Sequence, residues 1–127
     1  MEWKIDDRFP IWSQLTEQLE AYISSGGFKP GEKLPSVRDF ASEAGVNPNT
    51  MQRALSELEG RGLIVTNRTA GRTVTEDAER IKSVRQGILR RRIEDFLDSI
   101  EELGIKDNEL ESLLRKAISE RSGGTVV

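Results

Sequence analysis

The chain contains no cysteine and no histidine. These absences exclude disulfides, thiolate nucleophiles and imidazole general bases, and they remove nearly every zinc-ligand set. A cysteine-free chain fits a reducing compartment, and a cytoplasmic location is expected. No apolar run approaches the roughly 20 residues that a spanning helix needs, so no membrane partner is expected. The charged opening Met1–Asp7 lacks the apolar core of a secretory leader. An excess of basic residues is missing too, since the net charge is −3 over 127 residues. Phosphate neutralisation supplies much of the affinity for nucleic acid. A nucleic-acid reader of this composition therefore has to gather its cations on one face. The length suits one ordinary domain plus a short accessory segment.

What is present begins with Pro10-Ile11-Trp12, where proline suits the first turn of a helix. Ile11, Leu15, Leu19, Tyr22 and Ile23 recur at helical spacing, and Gly26-Gly27 ends the run. Lys29-Pro30-Gly31-Glu32 reads as a turn. Ser36 suits the N-cap of a second helix, whose apolar face is Val37, Phe40, Ala41 and Ala44. Gly45 fits a tight turn between helices, and Asn47-Pro48 caps and opens the third helix. There Met51, Ala54, Leu55 and Leu58 face a core, while Asn49, Gln52, Arg53 and Ser56 keep the same period on an adjoining face. A helix written this way packs with one stripe and can read the edge of a DNA duplex with the other.

Leu63–Thr66 is β-branched and short, Thr69-Ala70-Gly71 turns, and Arg72–Thr75 can return as a second strand. A hairpin appended to helix-turn-helix is a wing. From Glu76 to about Leu103 the pattern is one long amphipathic helix marked by Ile81, Val84, Ile88, Phe96, Ile100 and Leu103. Gly104 breaks it, and Asp107 can cap a last helix carrying Leu110, Leu113, Leu114, Ala117 and Ile118. The tail Ser122–Thr125 is expected to fray.

At these residues the chain resembles the GntR family of bacterial transcription regulators. Pro10–Leu15 is similar to the family's opening P-[IL]-[YW]-x-Q-[IL], and Pro30–Arg38 to P-G-x-x-L-P-S-x-R. Gly45–Ala54 resembles the G-V-N-P-N-T-V-x-[RK]-A run of the YtrA-like branch. The similarity covers Phe9 to about Val74. It implies a winged helix-turn-helix, dimerisation through two late helices, and transcriptional repression. Pro48 and Gln52 stand where much of the wider family carries arginines associated with base reading. The wing resembles G-x-G-T-F-V only in Gly71 and Val74, and Arg72 makes its tip more cationic, able to enter the minor groove or touch the backbone, or simply to stand exposed.

The expected architecture is mainly α with a small β-hairpin. Residues 1–75 form a winged helix-turn-helix DNA-binding domain, and residues 76–127 a helical dimerisation hairpin. Expected DNA-binding residues are Arg38, Asn47, Asn49, Thr50, Gln52, Arg53, Gly71 and Arg72. Arg38 can clamp a phosphate or reach guanine, or it can pair with Asp39 or Glu43. Asn49 and Gln52 can pair with adenine, or simply face solvent. Thr50 can bond a phosphate or its own backbone. Arg53 can reach the duplex or pair with Glu57. Gly71 is foremost a turn requirement. Lys33 and Arg68 are further phosphate neighbours, while Trp12 is expected in the core.

Expected dimer contacts are Ile81, Val84, Ile88, Phe96, Ile100, Leu110, Leu113 and Leu114. The cations around Arg90-Arg91-Arg92 can pair with the acidic block Glu94–Glu102 of a twin helix. Abundant carboxylates stand without a nucleophile or ligand cluster, so neither catalysis nor a cofactor is expected. The expected partners are double-stranded DNA and a second copy. Promoter occlusion would be released when a small-molecule effector or a conformational change alters the spacing of the two heads. The alternative is a winged-helix protein scaffold without DNA binding.

Overall fold

The computed structural model describes residues 1–123. Five helices and one hairpin follow in the order α1 (Ile11–Ser24), α2 (Val37–Ala44), α3 (Pro48–Gly60), β1 (Ile64–Asn67), β2 (Gly71–Val74), α4 (Ala78–Glu101) and α5 (Asp107–Arg121). The chain forms two compact units. The first runs Met1–Leu89 and the second begins at Arg90, within α4. The first thus extends past the wing to include the opening turns of α4. Of the tail expected to fray, Gly124 and Thr125 lie outside the described residues.

The core of the first unit is what the helical periodicities demanded. Leu15, Leu19 and Ile23 of α1, Phe40 of α2 and Met51, Leu55 and Leu58 of α3 are buried, joined by Leu63 and by Val74 of β2. Trp3 stands edge-on to Phe40, Phe40 to Phe28 and Phe28 to Tyr22. Gly27 is what allows Tyr22 its place, because a Cβ there would lie 2.4 Å from the ring.

The caps follow the sequence. The Ser36 side chain accepts the Asp39 N–H, and the Asn47 side chain accepts the Asn49 N–H at 2.7 Å. Gly45 closes α2 in the left-handed region at φ 71°. Asp107 departs from expectation. It is the first residue of α5, and Lys106 holds the cap position without a side-chain bond.

The wing is shifted by one residue from its expected bounds. Ile64 pairs with Val74 and Asn67 with Gly71, antiparallel. The turn is Arg68-Thr69-Ala70, fixed by the Asn67 carboxamide oxygen, which accepts the N–H groups of Thr69 and Ala70. The Pro30–Pro35 segment, read from sequence only as a turn and helix approach, also lies along β2. Leu34 N–H donates to the Arg72 carbonyl, and Val74 N–H to that of Glu32. This third lane braces the wing against the start of α2.

Two features had no sequence signature. Gln14 and Gln18 of α1 each grip the N-terminal segment by its backbone. The Gln18 side chain accepts the Lys4 N–H and donates to the Lys4 carbonyl, and Gln14 does the same for Asp6. Arg61, just past α3, bonds Glu20 of α1 and Glu57 of α3. Burial opposes the Arg61 charge, but the hydrogen bonds and fields of Glu20 and Glu57 outweigh it, so its pKa is raised.

In the second unit α5 contributes no buried residue. The end of α4 and α5 border an open apolar cleft of about 590 Å³ lined by Phe96, Ile100, Leu103, Leu110, Leu113 and Leu114. No helix among the described residues is long and apolar enough to cross a membrane.

Candidate nucleic-acid interface

The interface is built on α3. Its spacing sends Met51, Ala54, Leu55 and Leu58 into the core and leaves Asn49, Gln52, Arg53 and Ser56 exposed. The polar stripe therefore belongs to a helix whose other side is fixed, which gives it a rigid platform. The Gln52 side-chain N–H donates to the Ser56 hydroxyl at 3.2 Å, so its carbonyl oxygen remains outward as an acceptor. Thr50 is half-buried and makes no bond to its own backbone among the described residues. Asn47 commits its carboxamide oxygen to the helix cap, leaving only its NH₂ to reach outward.

Arg38 lies on the exposed face of the first turn of α2, and it pairs with neither Asp39 nor Glu43. Between that turn and the wing runs an open groove of about 630 Å³, lined by Lys33, Leu34, Ser36, Thr66, Gly71 and Arg72 among others. The expected elements are thus neighbours: the α2 N-terminus on one bank and the wing on the other.

Two arginines are held differently from expectation. Arg53 does not pair with Glu57, which is engaged by Arg61. Instead its guanidinium lies over the Trp12 ring, 3.9 Å from the centroid. Trp12 is accordingly half-buried at the first turn of α1 and is not a core residue. Arg72 is not at the wing tip. It sits in β2 opposite Thr66, and its Nε donates to Glu59 near the end of α3 at 2.5 Å. The cation at the tip is Arg68, which is exposed in the turn. Gly71 holds φ 76°, where a side chain is strained, and the nearest atom to an added Cβ would be Lys33 Cε at 3.9 Å. Its requirement is therefore backbone conformation rather than space. Trp12 and Glu59 were missed because their partners lie far along the chain, where no local pattern points to them.

The matching stretch, residues 12–74, fits the family described as bacterial regulatory proteins, gntR family. The HTH-type transcriptional regulator YhcF of Bacillus subtilis is 37% identical over 101 residues, covering 80% of this chain and 84% of YhcF. The chain belongs to the GntR family. This GntR-family chain is also 43% identical to the HTH-type transcriptional repressor YtrA of Bacillus subtilis, over 55% of this chain and 54% of YtrA. A solved GntR family transcriptional regulator from Listeria monocytogenes superposes with a TM-score of 0.82 at 36% identity, covering 88% of this chain and 98% of that one. The winged helix-turn-helix, the YtrA-like resemblance and the assignment as a DNA-binding transcriptional regulator are borne out.

The expected dimer stripe needs one correction. Ile81 is buried in the core of the first unit, and Val84 packs against that core. Neither offers a free apolar face to a twin. The exposed apolar residues are instead Leu89, Ile93, Phe96 and Leu97 of α4 and Leu103 just past its end, with Ile100 half-buried among them. At about 100° per residue the two stripes are displaced by roughly a third of a turn. Extending the first stripe along the helix hid this change of face, and Leu89 and Ile93 with it. On α5, Leu113 and Leu114 are exposed and Leu110 is half-buried.

Proposed function

We propose that this regulator is a dimeric repressor that reads an inverted-repeat operator in the cytoplasm. The observation that carries the reading is the division of α3 into a fully buried stripe and an exposed stripe of Asn49, Gln52, Arg53 and Ser56. In this reading Asn49 and Gln52 face base edges, while Arg38 and Thr50 with the α2 and α3 N-termini bind phosphates. Arg68 leads the wing toward the backbone or minor groove. Asn47 and Gly71 shape the interface rather than contact bases, and Arg72 tethers the wing.

The helices from Glu76 onward serve dimerisation once the first turns of α4 have packed on the winged helix. Support comes from the spacing of Leu89, Ile93, Phe96, Ile100 and Leu103, which alternates by four and three as in a packing seam. The absence of any buried residue in α5 and the apolar cleft beside it point the same way. A two-fold pair of recognition helices matches a palindromic site. Occupancy of a promoter then blocks transcription, and a small-molecule effector that changes head spacing would release it.

Selection of bound duplexes from a random DNA library tests the reading, together with sedimentation of the free protein. An inverted-repeat winner bound by a dimer is the expected result. Enrichment of a single half-site by a monomer refutes the dimeric reading, and no enrichment over random duplex refutes sequence-specific reading.

A further inference from the structure

Arg53 is the one cation on the exposed stripe of α3, and its setting is unusual. A guanidinium stacked on an indole uses its face and leaves its in-plane N–H groups available. Arg53 donates to no protein acceptor among the described residues, and its side chain is exposed. The acid that would otherwise draw it back along α3, Glu57, is held by two nitrogens of Arg61. Trp12 lies in the first turn of α1, where its main-chain carbonyl accepts the Thr16 hydroxyl at 2.8 Å. The α1 and α3 helices are in turn clamped by Glu20 and Arg61.

We propose that Trp12 is a positioning residue for DNA binding. Its ring holds the Arg53 guanidinium flat, so that the planar N–H edge meets a backbone phosphate beside the major groove. The inference rests on the DNA-binding reading and adds to it a residue from α1, outside the helix-turn-helix. A phosphate is the fitting ligand, because a fork fixed in one plane matches two phosphate oxygens and needs no particular base. The stack also limits the rotamer freedom that a long exposed side chain loses on binding.

The test measures affinity for the selected operator and for a random-sequence duplex across a salt series. The proteins are wild type, Arg53→Ala, Arg53→Lys, Trp12→Leu, Trp12→Phe and Trp12→Leu/Arg53→Ala. Arg53→Ala should weaken both duplexes alike and reduce the salt slope by about one unit, the contribution of one phosphate contact. Trp12→Leu should lose about three- to ten-fold, within the range of a desolvated cation–π contact. Trp12→Phe should recover most of that loss, and the double variant should be no weaker than Arg53→Ala alone.

Multiplying losses in the double variant overturn the proposal. So does a Trp12→Leu loss with an unchanged salt slope, which marks a structural role only. Arg53 is exposed, so its variants decide the matter even where Trp12→Leu folds poorly. Arg53→Lys keeps the charge without the planar stack, and wild-type affinity in that variant also overturns the proposal. Failure of wild type to bind any duplex would instead refute the DNA-binding reading, which separates the two outcomes.

Discussion

Removing Glu59 decides whether Arg72 tethers the wing or touches DNA, because the two roles give effects of opposite sign. The Arg72 Nε donates to the Glu59 carboxylate at 2.5 Å, with the side chains 22% and 31% exposed. A charge-assisted hydrogen bond is worth about 1.5–3 kcal/mol. Partial exposure screens it, so about 1–2 kcal/mol is the reasonable value here. The wing does not depend on this bond for its existence. Its strand pairing and the lane of residues 31–34 remain in Glu59→Gln. What is lost is the charge of the link between β2 and the end of α3, which Gln keeps only as a weaker neutral hydrogen bond, and with it the firm angle of the wing to the recognition helix.

If Arg72 is a tether, Glu59→Gln and Arg72→Ala should each weaken operator binding by about three- to ten-fold, since 1.4 kcal/mol is tenfold. The double variant should then be no weaker than either single one. Both should lower the thermal midpoint by several degrees, as about 1 kcal/mol shifts a domain of this size by roughly 4–8 °C. Fluorescence anisotropy on the selected duplex and a thermal melt supply the readouts. Should Glu59→Gln bind DNA more tightly than wild type, the tether is wrong, and Glu59 merely competes with phosphate for Arg72.

Other expectations follow from the same packing. Arg61→Ala should cost about 2–4 kcal/mol in urea unfolding, because it strips a guanidinium from a Glu20 side chain only 5% exposed. Glu20→Gln should cost only about 1 kcal/mol, since Arg61 keeps a neutral acceptor and Glu57; equal losses would contradict this asymmetry. Gly71→Ala should lose about 1–2 kcal/mol from backbone strain with the core unchanged. Gly27→Ala must displace the Tyr22 ring, so its near-ultraviolet dichroism should change while that of Gly71→Ala does not. Phe96→Asp combined with Leu113→Asp should sediment as a monomer and melt with the first unit intact; a persistent dimer would place the interface elsewhere.

Local chemistry made much of this molecule readable in advance. The caps at Ser36 and Asn47, the glycine at 45 and the split faces of α3 all act within a turn or two of chain. Their signals therefore lie side by side in the sequence. The bonds that orient the interface are of another kind. Trp12 with Arg53, Arg72 with Glu59 and Arg61 with Glu20 join residues far apart in the chain. For Arg53 the sequence also offers a nearer partner, for Arg72 an open surface, and for Arg61 no pattern at all. Arg53 shows the point: a carboxylate four residues on is an ordinary helical mate, yet that carboxylate is claimed by Arg61. The apolar stripe of α4 failed for a related reason. A single helix serves two environments, and periodicity alone does not mark where its face changes.

The grip of Gln14 and Gln18 on the N-terminal segment has a consequence for tolerated variation. Both amides bond main-chain atoms alone: Gln18 those of Lys4, and Gln14 those of Asp6 together with the Phe9 and Pro10 carbonyls. The segment is thus held like a strand whose neighbour is a pair of side chains rather than another strand. The side chain at position 4 is free to change without loosening it, whereas the Asp6 carboxylate also accepts the Arg8 N–H and guanidinium. Proline at either position removes the donor that the amide oxygen needs. Gln14→Glu or Gln18→Glu keeps size and acceptor but forfeits the N–H. The rule of substitution is therefore inverted at this contact: the helix glutamines are fixed by identity, and Lys4 and Asp6 meet them only through a main-chain N–H and carbonyl.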